Sequence, residues 1–248
     1  PVNDPGFLGM SVTRMCETAN GAWLLGSHAA DWSKKPLETQ QYILRSEDQG
    51  ETWHLLPGAR KAGWSVPEYN RMDEGRPIWL QGSEVFFMAR TPAGQIWTSR
   101  SHDDGQSWSD PKPSSLVHPD APPMVFHSSD RKTLINFFHN RHTGTQYTGL
   151  SGTMDGMKDR SEIWVTLSSD GGRNWSEPRF LFANATQMNP EKNGWFNHQV
   201  SYLDAVIDKG TIHVFCPHLW NRAVYLTLQE SDLQKLPTKE MLQKTLPR

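Results

Sequence analysis

Two charged residues stand where neighbouring apolar segments begin and end. Glu74 precedes the segment 77–80, and Arg90 closes the segment 84–90. If these segments are consecutive antiparallel strands, the two side chains lie at the same end of one sheet. A carboxylate in that position can serve as a base, and a guanidinium can hold an acidic group by paired hydrogen bonds. We therefore expect a site that binds an anion and moves a proton.

Reactive side chains recur at equivalent positions further along the chain. Arg160 comes just before the β-rich segment 162–168, and Tyr202 stands near the start of the segment 201–207. Loops at the strand ends of a rigid scaffold often carry binding and catalytic residues. The same kind of position is occupied by Ser27, His28, Arg76, Asp120, His139, Arg141, His198, His218 and Trp220.

A threefold repeat indicates the elements that position these residues. The pattern Ser-x-Asp-x-Gly-x-(Ser/Thr/Asn)-Trp occurs at 46–53, 101–108 and 168–175. An Asp in a tight turn accepts hydrogen bonds from backbone N–H groups, Gly supplies a positive φ, and the Trp ring packs back onto the strands. Asp48, Asp103 and Asp170 are therefore predicted to be structural and not catalytic.

Short β-rich segments separated by Gly, Asn and Asp precede each repeat, as is typical of propellers and sandwiches. They predict an all-β chain of four units, the last without the turn pattern, and a short terminal helix over 239–246. The predicted strands are 10–17, 22–26 and 41–46; 77–80, 84–90 and 95–101; 124–127, 133–139 and 162–168; and 201–207, 211–216 and 223–228.

The repeated pattern resembles the Asp box of sialidase-like β-propellers. The resemblance implies four-stranded antiparallel blades, with each box between the third and fourth strands and facing away from the ligand site. Six blades are expected in the complete fold, so two are expected before Pro1. Four blades are predicted here, at about 1–57, 70–112, 120–180 and 198–237, followed by a tail at 238–248.

The same resemblance implies roles for the candidate residues. Sialic acid carries a carboxylate on its anomeric carbon, which would repel a carboxylate nucleophile, so sialidases use a Tyr activated by a Glu. Tyr202 and Glu74 match these two positions, and Arg90 and Arg160 match arginines that hold the substrate carboxylate. We also expect catalytic roles for His139 and His198, and substrate binding by Arg76, Arg141 and His218.

The sequence departs from the sialidase pattern at two points. The family's Arg-Ile-Pro motif and its acid/base Asp, both from its first blades, do not occur here. A sialidase-like glycoside hydrolase acting on sialic acid or a related acidic sugar is the leading expectation. A polysaccharide lyase using His139, Arg141, Tyr147 and His198, or a non-catalytic carbohydrate- or protein-binding propeller, remains an alternative.

Composition narrows the choice of partners. The formal net charge of -2 and the absence of a basic run argue against nucleic acid, and a mean hydropathy of -0.65 argues against insertion into a membrane. Neither a metal-ligand spacing nor a phosphate-binding Gly loop is present, so no cofactor is expected. We expect a carbohydrate partner of acidic character. A secreted or periplasmic location is favoured by the resemblance alone.

Overall fold

The structure is a computed structural model that describes residues 7, 9–10, 14–57, 63–143, 159–184, 199–218 and 222–245. These residues form antiparallel β-sheets, one 3-10 helix and one α-helix. They divide into two compact units: unit 1 contains the described residues up to Pro123, and unit 2 those from Met124 onwards.

Unit 1 contains two four-stranded sheets in which strands that follow one another in sequence are neighbours. The first sheet consists of β1 (Cys16–Glu17), β2 (Trp23–Asp31), β3 (Glu38–Ser46) and β4 (His54–Leu56). The second consists of β5 (Asp73–Gln81), β6 (Glu84–Arg90), β7 (Gln95–Ser101) and β8 (Lys112–Val117). Leu24 and Ile43 from the first sheet and Val85 and Phe87 from the second share one core cluster.

Unit 2 contains a four-stranded and a three-stranded sheet of the same consecutive topology. The first sheet consists of β9 (Met124–His127), β10 (Leu134–Phe138), β11 (Glu162–Ser168) and β12 (Arg179–Ala183). The second consists of β13 (Asp204–Asp208), β14 (Thr211–His218) and β15 (Arg222–Gln229). A 3-10 helix (Glu230–Lys235) and α1 (Lys239–Thr245) follow. Phe137, Ile163, Val214 and Leu233 belong to the core of this unit.

The all-β fold of sialidase-like antiparallel blades is confirmed, and β6, β7, β9 and β11 have the predicted bounds. Other predicted strands differ from the observed ones. Of the described residues among 10–17, Cys16–Glu17 form a strand and Met10 makes an isolated bridge to His28. The segment 201–207 becomes extended only at Asp204, because the backbone at Tyr202 has a positive φ of 62°.

Each Asp box forms the turn between the third and fourth strands of its sheet, as predicted. In the second box, Asp103 accepts hydrogen bonds from the Ser107 backbone N–H at 2.9 Å and the Ser107 hydroxyl at 2.5 Å. The Trp108 indole donates to the carbonyl of Gly105, which has a φ of 79°. This turn follows the end of β7, so it lies at the opposite end of the sheet from Arg90, which ends β6.

Candidate functional site

The end of the second sheet brings Glu74 and Arg90 together. Arg90 Nη1 lies 2.6 Å from Glu74 Oε2, and both side chains are buried. Glu74 is the second residue of β5 and not the residue before the strand, because the pairing of β5 with β6 is interrupted between Asp73 and Arg76. This irregularity is a β-bulge, a device that turns a side chain away from its regular direction.

The bulge fixes Glu74 in an unfavourable backbone conformation. Glu74 has a φ of 47°, in the left-handed region that L-residues rarely adopt. The next residue, Gly75, has no room for a Cβ, which would overlap the Phe87 ring. The Gly75 N–H donates to Gln41 Oε1 at 2.8 Å, and the Gln41 amide nitrogen donates to the Ser27 carbonyl at 2.7 Å. Packing and a buried amide from β3 therefore hold the Glu74 backbone in place.

Two arginines and two aspartates form a closed ring of ion pairs, and one of these arginines, Arg90, also pairs with Glu74. Arg71 Nε lies 2.9 Å from Asp73 Oδ2, and Arg71 Nη1 lies 3.3 Å from Asp120 Oδ2. Arg90 Nε lies 3.2 Å from Asp73 Oδ1 and 2.6 Å from Asp120 Oδ1. All four residues are buried. Together with Glu74 they make the unit 1 ion-pair group, in which two guanidinium groups meet three carboxylates.

The unit 1 ion-pair group favours the charged forms of Arg90 and Asp73. Burial alone would lower the pKa of Arg90, but the carboxylates of Asp120, Glu74 and Asp73 outweigh it and raise that pKa well above its ordinary value. Burial would likewise raise the pKa of Asp73, but Arg90 and Arg71 lower it. The resemblance implies that Arg90 binds the substrate carboxylate. In the structure, its guanidinium pairs with three carboxylates of the same unit.

His28 and Arg76 are also buried in unit 1. Burial lowers the pKa of His28, although the Asp73 and Glu74 carboxylates act in the opposite direction. The imidazole Nδ1 of His28 has no hydrogen-bond partner among the described residues. Arg76 lies at the far side of the bulge, opposite Met88 of β6.

In unit 2, Arg160 and Tyr202 lie near each other. Arg160 stands ahead of β11, as predicted, and its side chain is 1% exposed. Its guanidinium carbon lies 6.0 Å from the centre of the Tyr202 ring, and its Nη1 donates to Gln199 Oε1 at 3.4 Å. Tyr202 is 40% exposed. It lies in a bend two residues before β13 and not within the strand.

His139 lies in the interior of unit 2. Its ring is fully buried, with Nδ1 at 2.8 Å from the Glu162 carbonyl oxygen and Nε2 at 3.4 Å from the Ser201 hydroxyl. Burial, assisted by the positive charge of Arg160, lowers the pKa of His139 to about 3. An imidazole with so low a pKa is a weak proton acceptor, so this environment does not favour the predicted role of His139 as a catalytic base.

Arg141 is half-exposed and held by acidic neighbours. Its Nε lies 3.0 Å from Asp159 Oδ1, and its Nη1 lies 3.8 Å from Glu162 Oε1. Asp159 is completely buried and also accepts hydrogen bonds from the backbone N–H and hydroxyl of Thr143. This carboxylate therefore fixes the direction of the Arg141 side chain.

The remaining candidates have less structural context. His198, Tyr147 and Trp220 lie outside the described residues, and His218 ends β14 opposite Arg222. Because Glu74 and Arg90 belong to unit 1 and Arg160 and Tyr202 to unit 2, the expectation that they form one pocket stays a prediction.

Sequence reasoning missed three residues of the site: Arg71, Asp73 and Gln41. Arg71 and Asp73 flank Glu74 in sequence, so the charge run 71–76 was a usable signal. The role of Gln41 carried no such signal, because its contact with Gly75 joins residues 34 positions apart.

The described residues contain no group of three His, Cys, Asp or Glu side chains able to hold a metal ion. Within the same part of the chain, no helix is long and apolar enough to cross a membrane.

Residues 6–214 match the family described as BNR repeat-like domain, and the chain belongs to this family. No curated protein matches the chain at a significant level. Solved structures of other proteins have a similar fold, and three of these proteins have different names and activities.

A mutant of the NanB sialidase from Streptococcus pneumoniae is 15% identical, with a TM-score of 0.59 and 90% of this chain covered. The intramolecular trans-sialidase from Ruminococcus gnavus is 17% identical, with a TM-score of 0.59 and 90% covered. The β-1,2-mannobiose phosphorylase from Listeria innocua is 12% identical, with a TM-score of 0.59 and 92% covered. The chain spans 30%, 44% and 60% of these three chains, respectively. At such identities the likeness shows the fold alone.

Proposed function

We propose that this protein acts on glycans as a sialidase-type glycoside hydrolase, with Tyr202 as the nucleophile and Glu74 as its base. The observation that carries the proposal is the backbone conformation of these two residues. Strained conformations of non-glycine residues cluster at functional sites, where the surrounding structure maintains them.

Positive φ values occur at eight non-glycine residues of the described chain, and six of them have ordinary explanations. Four lie in tight turns between strands, and two are asparagines, which tolerate this region. The four turn residues are Gln49, Asp104, Arg131 and Lys209, and the asparagines are Asn70 and Asn140. Glu74 and Tyr202 are the two that remain. They are also the two residues that the resemblance assigns to the base and the nucleophile.

The surroundings of each residue suit its proposed role. The nearby guanidinium of Arg160 stabilises negative charge on the Tyr202 oxygen as it attacks the anomeric carbon. The ion pair with Arg90 fixes the position of the Glu74 carboxylate, the group that we assign as the acceptor of the phenol proton. We assign recognition of an acidic sugar to Arg160 and the half-exposed Arg141, because the charge of Arg90 is already met within unit 1.

The alternatives receive less support. A lyase that uses His139 as its base needs an imidazole that takes up a proton readily, whereas burial lowers the pKa of His139 to about 3. The mannobiose phosphorylase has a similar fold at similar likeness, so the fold does not choose the sugar chemistry. A non-catalytic glycan-binding propeller is the remaining alternative.

Covalent trapping tests the proposal. 2,3-Difluorosialic acid has a fluoride leaving group that needs no acid catalyst, so it suits a chain without the family's acid/base Asp. We expect peptide mass spectrometry to find one sialyl adduct, on the peptide that contains Tyr202, and no adduct on the Tyr202→Phe variant.

Tyr225→Phe is the matched control, because Tyr225 is an exposed tyrosine of the same unit whose hydroxyl bonds His213. This variant should label like the wild type. Wild-type protein that binds sialic acid but forms no adduct would support the non-catalytic alternative, and an adduct on another residue would exclude Tyr202 as the nucleophile.

A further inference from the structure

We propose that His28 is an additional glycan-binding residue whose imidazole Nδ1 forms a hydrogen bond with a sugar hydroxyl group beside Glu74. This assignment rests on the proposed function and adds a specificity contact to its site in unit 1.

The first support is an unmet hydrogen bond. His28 is 6% exposed, and its Nδ1 has no hydrogen-bond partner among the described residues. Buried polar side-chain atoms in native proteins nearly always have a partner, and each exception needs an explanation. The backbone of His28 is fully engaged, since its N–H and carbonyl both pair with Met10. The imidazole Nδ1 is therefore the group of His28 that lacks a hydrogen bond within the described residues.

The second support is the direction of the ring. His28 on β2 pairs in register with Gln41 on β3, and the Gln41 amide binds the backbone beside Glu74. The charges that act on the His28 imidazole are those of Asp73, Glu74, Arg90 and Arg71, all members of the unit 1 ion-pair group. Side chains paired across an antiparallel ladder lie on the same face of the sheet, so His28 lies on the face from which Gln41 reaches Gly75, next to Glu74.

The third support is the kind of ligand that these groups favour. Burial keeps the imidazole neutral near neutral pH, so one ring nitrogen is free to accept a hydrogen bond. A neutral ring nitrogen favours a ligand that donates a hydrogen bond, and the nearby Asp73 and Glu74 carboxylates disfavour a ligand group that brings negative charge. Sugar hydroxyl groups have this property, whereas a carboxylate placed here would be repelled.

Nitrogen-15 NMR of the histidine side chains in the whole chain tests the contact. N-acetylneuraminic acid is added to saturation, and the His28 signals are assigned by their loss in His28→Phe. We expect the Nδ1 resonance of His28 to shift on addition of the sugar. His54, an exposed residue of β4, should keep its resonances and serves as the internal control.

Calorimetric binding measurements separate a ligand contact from a packing role. His28→Phe keeps a flat ring but no nitrogen, and we expect about tenfold weaker binding of the sugar, the value of one hydrogen bond. His28→Asn places an amide near the Nδ1 position and should bind within about threefold of the wild type. His54→Phe should bind like the wild type. If His28→Phe does not fold, the His28 signals are assigned by their loss in His28→Asn, and the titration of the wild-type protein decides.

The outcomes distinguish this inference from the proposed function. If the sugar shifts other signals of the chain but not the His28 Nδ1, the inference is wrong and the glycan site stands. If no signal moves at saturating sugar, both are wrong.

Discussion

At the scale of single residues, charge pairing in unit 1 sets what each guanidinium can do. Arg71 and Arg90 share the carboxylates of Asp73 and Asp120, and Arg90 also holds Glu74. A complete buried ion pair contributes little net stability, whereas removal of one partner leaves a buried charge uncompensated. We therefore expect the unit 1 ion-pair group to contribute little net stability to the fold and to serve mainly to hold the Glu74 side chain in one position.

Arg90→Met should destabilise the protein by about 3–5 kcal/mol, because three carboxylates lose a shared cation. Urea unfolding followed by tryptophan fluorescence measures the change. Arg100→Met is the matched control, since Arg100 forms an ion pair with Glu84 at 3.1 Å in a less buried position. Its loss should cost at most about 1 kcal/mol. Equal losses in the two variants would contradict the cooperative role of Arg90.

His139 should make stability fall in mildly acidic solution. Its folded-state pKa of about 3 lies below its ordinary value of 6.5, so the unfolded chain binds a proton first as the pH falls. The free energy of unfolding should therefore be unaffected by His139 above about pH 6.5 and should fall progressively as the pH is lowered towards 3. In unfolding experiments between pH 7 and 5, His139→Phe should show a shallower decline than the wild type. His54→Phe should keep the wild-type slope, and an unchanged slope in His139→Phe would refute the assignment.

At the scale of elements, the Asp boxes connect the third and fourth strands of their sheets, and their contribution to stability should depend on pH. Hydrogen bonds from the Thr52 hydroxyl and N–H, and then from Ser46, lower the pKa of Asp48 to about 2. The stabilising contribution is present above about pH 4 and is lost as the pH falls to about 2. Melting temperatures of the wild type and Asp48→Asn should therefore differ at pH 5 and converge near pH 2. A constant difference over this range would show that the carboxylate charge is irrelevant.

The second Asp box allows a direct separation of structure from function. Asp103→Ala leaves the Ser107 N–H without its acceptor and should cost about 1–3 kcal/mol. Sugar affinity, measured well below the melting temperature, should remain that of the wild type. Weaker binding with unchanged melting would contradict the structural assignment.

Strands that were predicted to the residue are bounded by local signals. β6 and β7 are separated by Thr91 to Gly94, and β9 is followed by the turn around Asp130, so composition alone fixes their ends. The β-bulge at Glu74 escaped prediction because it depends on Phe87 and Gln41, whose contacts are set by the fold. Strand topology placed Glu74 and Arg90 at the same end of the sheet. It gave no indication that Asp120, 30 residues beyond Arg90, would neutralise that arginine.

At the scale of the whole molecule, the chain spans less than two thirds of the similar solved structures, and its sequence lacks the family's acid/base Asp. A general acid contributes about 10²–10⁴-fold to the departure of a poor leaving group and little to that of a good one. If the proposed sialidase-type activity is correct, this chain should cleave 4-methylumbelliferyl sialoside at least about 100-fold faster than sialyllactose. Similar rates on both substrates would indicate that the chain has an acid catalyst of its own.

The Asp boxes also bear on how the chain reaches its fold. The hydrogen bonds that close the turn of the first box join residues no more than four positions apart, from the Ser46–Gly50 contact to the Trp53–Gly50 contact. Such a turn closes without ordering a long loop, so its entropic cost is small and its formation is fast. Each sheet that has a box thus contains a hairpin that can form before the sheets meet. The slow steps of folding are then left to the pairings that join distant parts of the sequence.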